Sequence, residues 1–447
     1  MEGRGTITVC GAFLLSALCL GAAPRALAAQ AAETELEERI GPAVEAHSDA
    51  IIELRHRIHE NPELSNREFE TAALVADHLR ALEFDRVETE VAHTGVVGVL
   101  EGGRPGPVVA VRADMDALPV TERTSYPFRS TKTTTYGGQE VGVMHACGHD
   151  IHTAVGLGVA SVLADMRGDL PGTVLFIFQP AEEGAPPGEE GGAELMLEEG
   201  AFDDPTPDVA FALHAHPDLE VGQLGITSGP AMAAADRWTA NIVGQQAHGA
   251  QPQESVDPVV MASQAVMALQ TIRSRNMSAL EEGVITTGII RGGERNNIIP
   301  GEVYLEGTVR TFDPEVQDMV ERRMREIFEG ITAAAGGSFE MTYQRGYPVT
   351  VNDPDLVDRM SPTLADVVGD EHLEVLPPTT GAEDFSYFAR RVPGMYFRLG
   401  TTEPGTESGG LHTPTFMGDD SSVPVGMRAM SRLVVDYLSG AGASGSE

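Results

Sequence analysis

The stretch from His145 to His152 reads His-Ala-Cys-Gly-His-Asp-Ile-His and packs three histidines, one cysteine and one aspartate into eight positions. Thiolate, imidazole and carboxylate together form a borderline-soft to hard donor set, suited to zinc, manganese, cobalt or nickel rather than calcium. A thiolate between two such ions can bridge them and is itself held deprotonated. The same residues admit a thiol hydrolase in which Cys147 works with His149 or His145 and Asp150. They also admit an inert buried cysteine at the start of a helix. Asp114-x-Asp116 and the pair Glu182-Glu183 add carboxylates. In such a pair one carboxylate binds an ion while its neighbour, turned differently, takes a proton from water that the ions have acidified. Of His214 and His216, at most one is expected to face the site. His248, in GQQAHGAQP, and His412, in GLHTPTF, are ordinary loop histidines when taken singly, and it is the conjunction that points to chemistry. His47, His56, His59, His78, His93 and His372 read as surface or structural residues.

These residues must be positioned by alternating elements. Helices are predicted over about 44–59 and 67–82, and consecutive strands over 95–100 and 107–115. The second strand is nearly all apolar before it turns acidic, as a strand buried on both faces does when its carboxyl end meets a site. A helix follows from Ile151, then strands over 173–180 and 208–217, separated by the Gly/Pro/Glu-rich loop 182–192. Buried strands thus end in Asp-x-Asp, Gln-Pro-Ala-Glu-Glu and Leu-His-Ala-His. In open α/β sheets the ligand crevice lies beyond the carboxyl ends of the strands, so one site accounts for all three ends and the helix start after Cys147. From about Ala235 the pattern becomes βαββαβ, the size of a small ferredoxin-like domain inserted into the α/β chain. Alternation resumes after Pro348 with a helix over 355–367, the strand MYFRLG and a final helix over 422–438. GAGASGSE at the end is a disordered tail by composition.

The chain has 447 residues, which favours two domains or one large domain with an insertion. Its formal charge of -37, from Lys+Arg 30 against Asp+Glu 67, repels phosphate backbones and anionic lipid, so nucleic acid is a poor partner. The first 28 residues read as a signal peptide, with Arg4, an apolar run from Val9 to Ala23 and Ala26-Leu27-Ala28, and predict an exported protein, periplasmic or secreted. No segment reaches the ~20 apolar residues of a membrane span. Loss of the leader would remove Cys10 and Cys19 and leave Cys147 as a lone thiol in an oxidising compartment, which favours a chemical role.

RADMDALPV, MHACGHDIHTA, QPAEEG, ALHAHP, GQQAHGAQP, GGERNNIIP, GTVRTF, GAEDFSYF and LHTPTF, in this order, closely resemble the metal-dependent aminoacylase and carboxypeptidase superfamily. The nearest subgroup holds hippurate hydrolases, N-acyl-amino-acid amidohydrolases and auxin-conjugate hydrolases. The resemblance implies an α/β, mixed-sheet, metallopeptidase-like catalytic domain in two parts, 29–232 and 348–439. A ferredoxin-like lid, 233–347, would lie between them, hinge near Ala233 and Tyr347, and form a homodimer. It also implies two divalent ions per subunit, drawn from manganese, zinc, cobalt and nickel. Cys147, His149, Glu183, His214 and His412 would be their ligands, Glu182 the general base, and Asp116 a residue orienting a ligand. His248 would help stabilise the tetrahedral oxyanion in its own or a partner subunit's site, and Asn297 and Arg310 would hold the carboxylate of a small N-acyl amino acid. The chain departs from relatives with a full two-zinc site by having Asp114 where they commonly have histidine. Ile151 and the long segment after Glu183 are further departures, at the acyl pocket. A dipeptidase or carboxypeptidase of the same superfamily is the neighbouring activity. A non-catalytic metal or amino-acid binding protein is the remaining alternative, although it would need only the second of the two glutamates.

Overall fold

The computed structural model describes residues 22–440. Its largest sheet has eight strands in the order Arg86–Val91, Gly95–Glu101, Pro171–Gln179, Arg104–Asp114, Val209–Glu220, Gly394–Thr402, Leu224–Ile226 and Leu373–Val375. The third to the sixth of these run parallel, and the first two are antiparallel, so the sheet is mixed and the α/β class expected from sequence is met. Residues alternate between its faces with the period of two that a pleated strand imposes. Val109, Val111, Phe176, Phe178, Phe211 and Leu213 pack on one side beneath the helices Ala22–Glu60, His149–Asp165 and Ser422–Ser439. Ala110, Leu175, Ile177, Ala212 and Tyr396 pack on the other, against the short helices Gly192–Glu198 and Phe385–Ala389. From Arg104–Asp114 the chain passes to the neighbour Pro171–Gln179 on one side and then to Val209–Glu220 on the other. That reversal opens a crevice at the carboxyl ends of these strands.

Helix Ala22–Glu60 is longer than its predicted span. Leu36, Ile40, Val44, Ile51, Arg55 and Ile58 are all buried, and this stripe at helical spacing carries the helix through Gly41 and Pro42. The expectation of an exported protein is corrected here. Residues 1–21 lie outside the described residues, but Ala26-Leu27-Ala28 stand inside this continuous helix, not in the extended chain that a signal peptidase reads. Among the described residues no helix is long and apolar enough to cross a membrane. The inference that Cys147 sits in an oxidising compartment falls with export. The tail predicted over 440–447 lies, beyond Gly440, outside the described residues.

Between the two parts of the large sheet comes a four-stranded antiparallel sheet in the order Gly283–Arg291, Glu302–Thr311, Ala234–Val243, Ser338–Gln344. With the helices Pro258–Thr271 and Pro314–Ala335 it forms the βαββαβ arrangement of a ferredoxin-like fold. Both helices start on an aspartate cap followed by proline: Asp257 accepts from the Val259 and Val260 amides and Asp313 from that of Glu315. Trp238, Leu305, Met324 and Phe328 fill the core between helices and sheet. Gly307 lies against Trp238, and a Cβ there would come within 1.8 Å of the Thr286 carbonyl oxygen.

The long first helix is locked to the site by buried charge. Arg55 Nε donates to Asp150 Oδ2 at 2.9 Å and its Nη2 to the Gly418 carbonyl at 2.6 Å, while His59 lies between Asp150, 3.0 Å, and Glu122, 3.1 Å. Burial pushes the His59 imidazole down, but Asp150 and Glu122 outweigh it and raise it to about 9. A histidine with a folded pKa above its unfolded value near 6.5 contributes its full stability below that value and loses it as pH rises through the folded one. The melting temperature should therefore carry a component that declines from pH 6.5 to above 9. In His59→Gln that component is expected to vanish, as scanning calorimetry across this range would show.

Candidate metal centre

Each arm of the site comes from the end of a core element. Cys147 precedes Gly148, which has φ 87 and lies so close to the strand Val209–Glu220 that a Cβ would meet that of Ala215 at 2.6 Å. Glycine is required on both counts, and it lets the helix begin at His149 directly after the turn. Ala181 and His412 are non-glycine residues with positive φ, 53 and 62, a strained conformation that is kept where the surroundings enforce it. The Ala181 amide is held by Glu68 Oε1 at 2.9 Å and the His412 amide by the Ala146 carbonyl at 2.8 Å.

These turns bring the five expected ligands together, four of them around the Cys147 thiol. Cys147 Sγ lies 3.4 Å from His214 Nε2 and 3.2 Å from His412 Nε2, and His412 Nε2 is 3.1 Å from Glu183 Oε1. The donor atoms of Cys147, His149 and His214 fall within 4.8 Å of one another, as do those of Cys147, Glu183 and His412. Cys147 belongs to both groups. His149 Nε2 is buried without a hydrogen-bond partner, 3.8 Å from Glu182 and 4.0 Å from Glu183. A nitrogen lone pair in that position, beside a thiol and carboxylates, fits a divalent cation and costs stability without one.

Asp116 is the hub of the support. Its Oδ1 accepts from His149 Nδ1 at 3.1 Å and from the Glu182 amide at 3.1 Å, and its Oδ2 accepts from the Glu183 amide at 3.0 Å and from Ser65 Oγ at 2.8 Å. It thereby fixes which imidazole nitrogen is free and orients both glutamates. Burial alone would raise its carboxyl, but the His149 hydrogen bond and charge hold it below the usual range. His214 donates from Nδ1 to the Ala215 carbonyl at 2.7 Å, which frees Nε2 to face Cys147. His216, two residues on, is half-buried and stays outside the cluster.

Underneath, Asp114 is joined by residues to which the sequence assigned no role. Asp114 Oδ1 meets His152 Nδ1 at 2.5 Å, and His152 Nε2 accepts from the Ala215 amide at 2.7 Å, pinning the backbone next to His214. Arg112, fully buried, donates to Asp114, Glu383 and Asp384 at 2.6, 2.7 and 2.9 Å. The alternation of charge with apolar residues in VRADMD and the acidic pair in GAEDF were the available signals. The carboxylates still outnumber the guanidinium. Burial, then Glu383, Glu183 and Asp384, push Glu182 well above the usual carboxyl range against the opposing Arg112. Burial with Glu183, Glu182 and Asp114 drives the Cys147 thiol well above its ordinary value, while burial is countered by Asp114 and Asp116 to raise His149 to about 10. Such a cluster holds protons when left alone and gives them up to a cation.

The other expected residues lie on the inserted unit. His248 is exposed and pairs with Ile298 across the strands Ala247–His248 and Ile298–Ile299, and the Asn297 carbonyl accepts from the Gly249 amide, so the two are neighbours there. Among the described residues neither makes a hydrogen bond or ion pair to the buried cluster. Arg310 lines a cleft of about 1190 Å3 bounded by Ala181, Gly184 and Tyr347 on one side and Arg237, Thr308 and Arg310 on the other. Tyr347 donates its hydroxyl to the Glu182 carbonyl at 2.8 Å and so ties the return from the inserted unit to the paired glutamates.

Residues 110–436 match the family described as peptidase family M20/M25/M40. The N-acetyl-L-cysteine deacetylase of Bacillus subtilis is 38% identical over 83% of this chain and 84% of its own length. The thermostable carboxypeptidase 2 of Saccharolobus solfataricus is 36% identical over 90% of this chain and 99% of its own. A solved Bacillus subtilis structure, described as a dinuclear metal binding peptidase from the M20 family, superposes with a TM-score of 0.74 at 33% identity, covering 88% of this chain and 99% of that one. The similarity to the deacetylase and the carboxypeptidase lends export no support. A thiol flanked by imidazoles, the paired glutamates held on Asp116 and this similarity over most of the chain agree: the chain belongs to peptidase family M20/M25/M40 and is a metal-dependent hydrolase.

Proposed function

We propose that this protein hydrolyses the amide bond of N-acyl or N-aroyl amino acids, releasing a carboxylic acid and a free amino acid. The observation that carries the proposal is the division of labour in Glu182-Glu183. Glu183 Oε1 stands with Cys147 and His412, whereas Glu182 shares no donor group with Cys147: its carboxylate lies within 4.8 Å of Asp114 and Glu383, and in a further group it meets His149, at 3.8 Å, and Glu183. A binding protein needs the Glu183 carboxylate and has no use for that of Glu182. Two divalent ions would be held, one by Cys147, His149 and His214, the other by Cys147, Glu183 and His412. When bound they supply Lewis acidity toward the amide carbonyl and lower the pKa of water. Glu182, with a proton affinity raised by burial and neighbouring carboxylates, takes the proton of the attacking water and passes it to the leaving nitrogen. Asp116 holds His149 and both glutamate backbones in place for this transfer.

The inserted unit acts as a lid, hinged near Ala233 and Tyr347. Val259, Val260 and Met267 are exposed on the helix Pro258–Thr271, and Val284 and Ile290 on the edge strand Gly283–Arg291, a face suited to a second copy of the chain. In such a homodimer His248 and Asn297, which make no hydrogen bond or ion pair to their own cluster among the described residues, would serve the oxyanion and substrate carboxylate of the partner subunit's site, and Arg310 the substrate in the cleft. The test is release of glycine from N-benzoylglycine before and after chelation, with manganese, zinc, cobalt or nickel added back. Turnover lost with chelator and restored by one ion is expected. Failure of fully metallated protein to cleave N-benzoylglycine, N-acetyl amino acids or dipeptides would overturn the proposal.

A further inference from the structure

Arg398 is the next residue in the row that holds the site. It pairs with His214 across the parallel strands Val209–Glu220 and Gly394–Thr402, and it follows Tyr396 by two, so all three side chains share one face of the sheet. Tyr396 lies 6.1 Å from His214, ring to ring, and donates its hydroxyl to Glu383 at 2.9 Å. Glu383 in turn has a carboxylate oxygen within 4.8 Å of one from Glu182. The Arg398 guanidinium stacks over the Tyr396 ring, 4.6 Å from its centroid, and donates from Nη1 to its hydroxyl oxygen at 2.9 Å.

Unlike the two buried arginines of the large sheet's half of the chain, this arginine lacks an anion among the described residues, as half-buried Arg310 of the inserted unit does. Arg55 and Arg112, buried in the same half of the molecule, are matched to carboxylates. Half-buried Arg398 has, among the described residues, the Tyr396 hydroxyl as its side-chain hydrogen-bond partner and no ion pair. A guanidinium offers five N–H donors in a planar fork shaped for a carboxylate. Here most of that fork is unmatched, its plane is fixed by the tyrosine ring, and it stands one strand beyond a proposed metal ligand. In a protein of formal charge -37 an anionic ligand needs such a local cation.

We propose that Arg398 binds a carboxylate of the substrate on the His214 side of the scissile amide, and so makes the enzyme selective for anionic amides. This rests on the amidohydrolase function proposed above. The carboxylate belongs either to the amino-acid half or to the acyl half, and matched pairs separate the two: N-benzoylglycine against N-benzoylglycinamide, and N-succinylglycinamide against N-butanoylglycinamide. The metal-loaded wild type is expected to prefer the charged member of one pair. Arg398→Gln should reduce that preference about 10–100-fold through KM with kcat little changed, and Arg398→Lys should restore part of it. A preference equal in wild type and Arg398→Gln, or no preference in the wild type, would overturn the assignment. Calorimetric binding of the same compounds to metal-loaded Glu182→Gln protein, with and without Arg398→Gln, reads the contact without turnover. If no amide is cleaved the hydrolase proposal fails, yet 10–100-fold weaker binding on loss of Arg398 would still support the contact, and unchanged binding would exclude it.

Discussion

Glu182→Gln is expected to lower kcat for amide hydrolysis by about 10²–10⁴-fold, the usual contribution of a positioned general base. Bound metal should be unchanged, because the proposed ligand sets are the two donor groups that contain Cys147 and exclude Glu182; in the further group that Glu182 forms with His149 and Glu183 its proposed part is the proton acceptor. Gln keeps the shape and the backbone amide that Asp116 accepts at 3.1 Å, so the variant removes the proton acceptor and little else. Stability gives a second readout of opposite sign. Glu182 is buried among Glu383, Glu183 and Asp384, with Arg112 as the opposing charge, a placement that costs the fold energy and is kept for function. The metal-free variant should therefore melt at or above the wild-type temperature while the loaded variant is inactive. Metal content by plasma mass spectrometry, kcat and thermal melts decide it, and wild-type kcat in Glu182→Gln would remove the base assignment.

The fold was largely legible because its signals are local. Apolar runs such as TVLFIFQ, aspartate-proline helix starts at 257–258 and 313–314, and the βαββαβ order each carry their own period or cap. The edge strand Arg86–Val91 and the hairpin of Thr133–Tyr136 with Gln139–Gly142 were not visible, because strands that are exposed along much of their length lack an alternation to detect. The leader misled for a related reason: an Ala-rich apolar segment satisfies the rule for a signal and the propensity for a helix equally, and only the long buried stripe farther along Ala22–Glu60 favours the helix. At the site, residues adjacent in sequence to a ligand were easy to propose. Arg112, His152, Glu383 and Arg398 act between elements far apart in sequence, so their partners appear only when the strand register aligns Arg398 with His214 and the fold brings the loop at Asp384 to Arg112.

Cys147→Ser should lose at least about 100-fold in metal affinity, more than is usual for removing a residue that merely supports a ligand, and activity should fall with it. Serine keeps the volume and the turn at Gly148 but supplies a poor ligand atom at the one position shared by both donor groups. A nucleophilic cysteine would predict a different pattern. Such a thiol needs a lowered pKa, from a cation or a helix end. Here burial, then Glu183, Glu182 and Asp114, hold the thiol well above its ordinary value, so the polypeptide alone disfavours the thiolate. Cys147 would be held as the thiolate, and shielded, by a divalent ion bound in the donor groups it shares with His149, His214, Glu183 and His412. Iodoacetamide should accordingly leave the metal-loaded enzyme active and modify Cys147 only after chelation and partial opening, since the residue is 5% exposed. Metal binding should release protons and its removal should take them up, and apparent metal affinity should fall as pH is lowered, because His149, raised to about 10, and the thiol both hold protons that the ions must displace. Rapid inactivation of the loaded enzyme by iodoacetamide, together with indifference to chelator, would instead establish the cysteine as nucleophile and leave the two donor groups without a catalytic role.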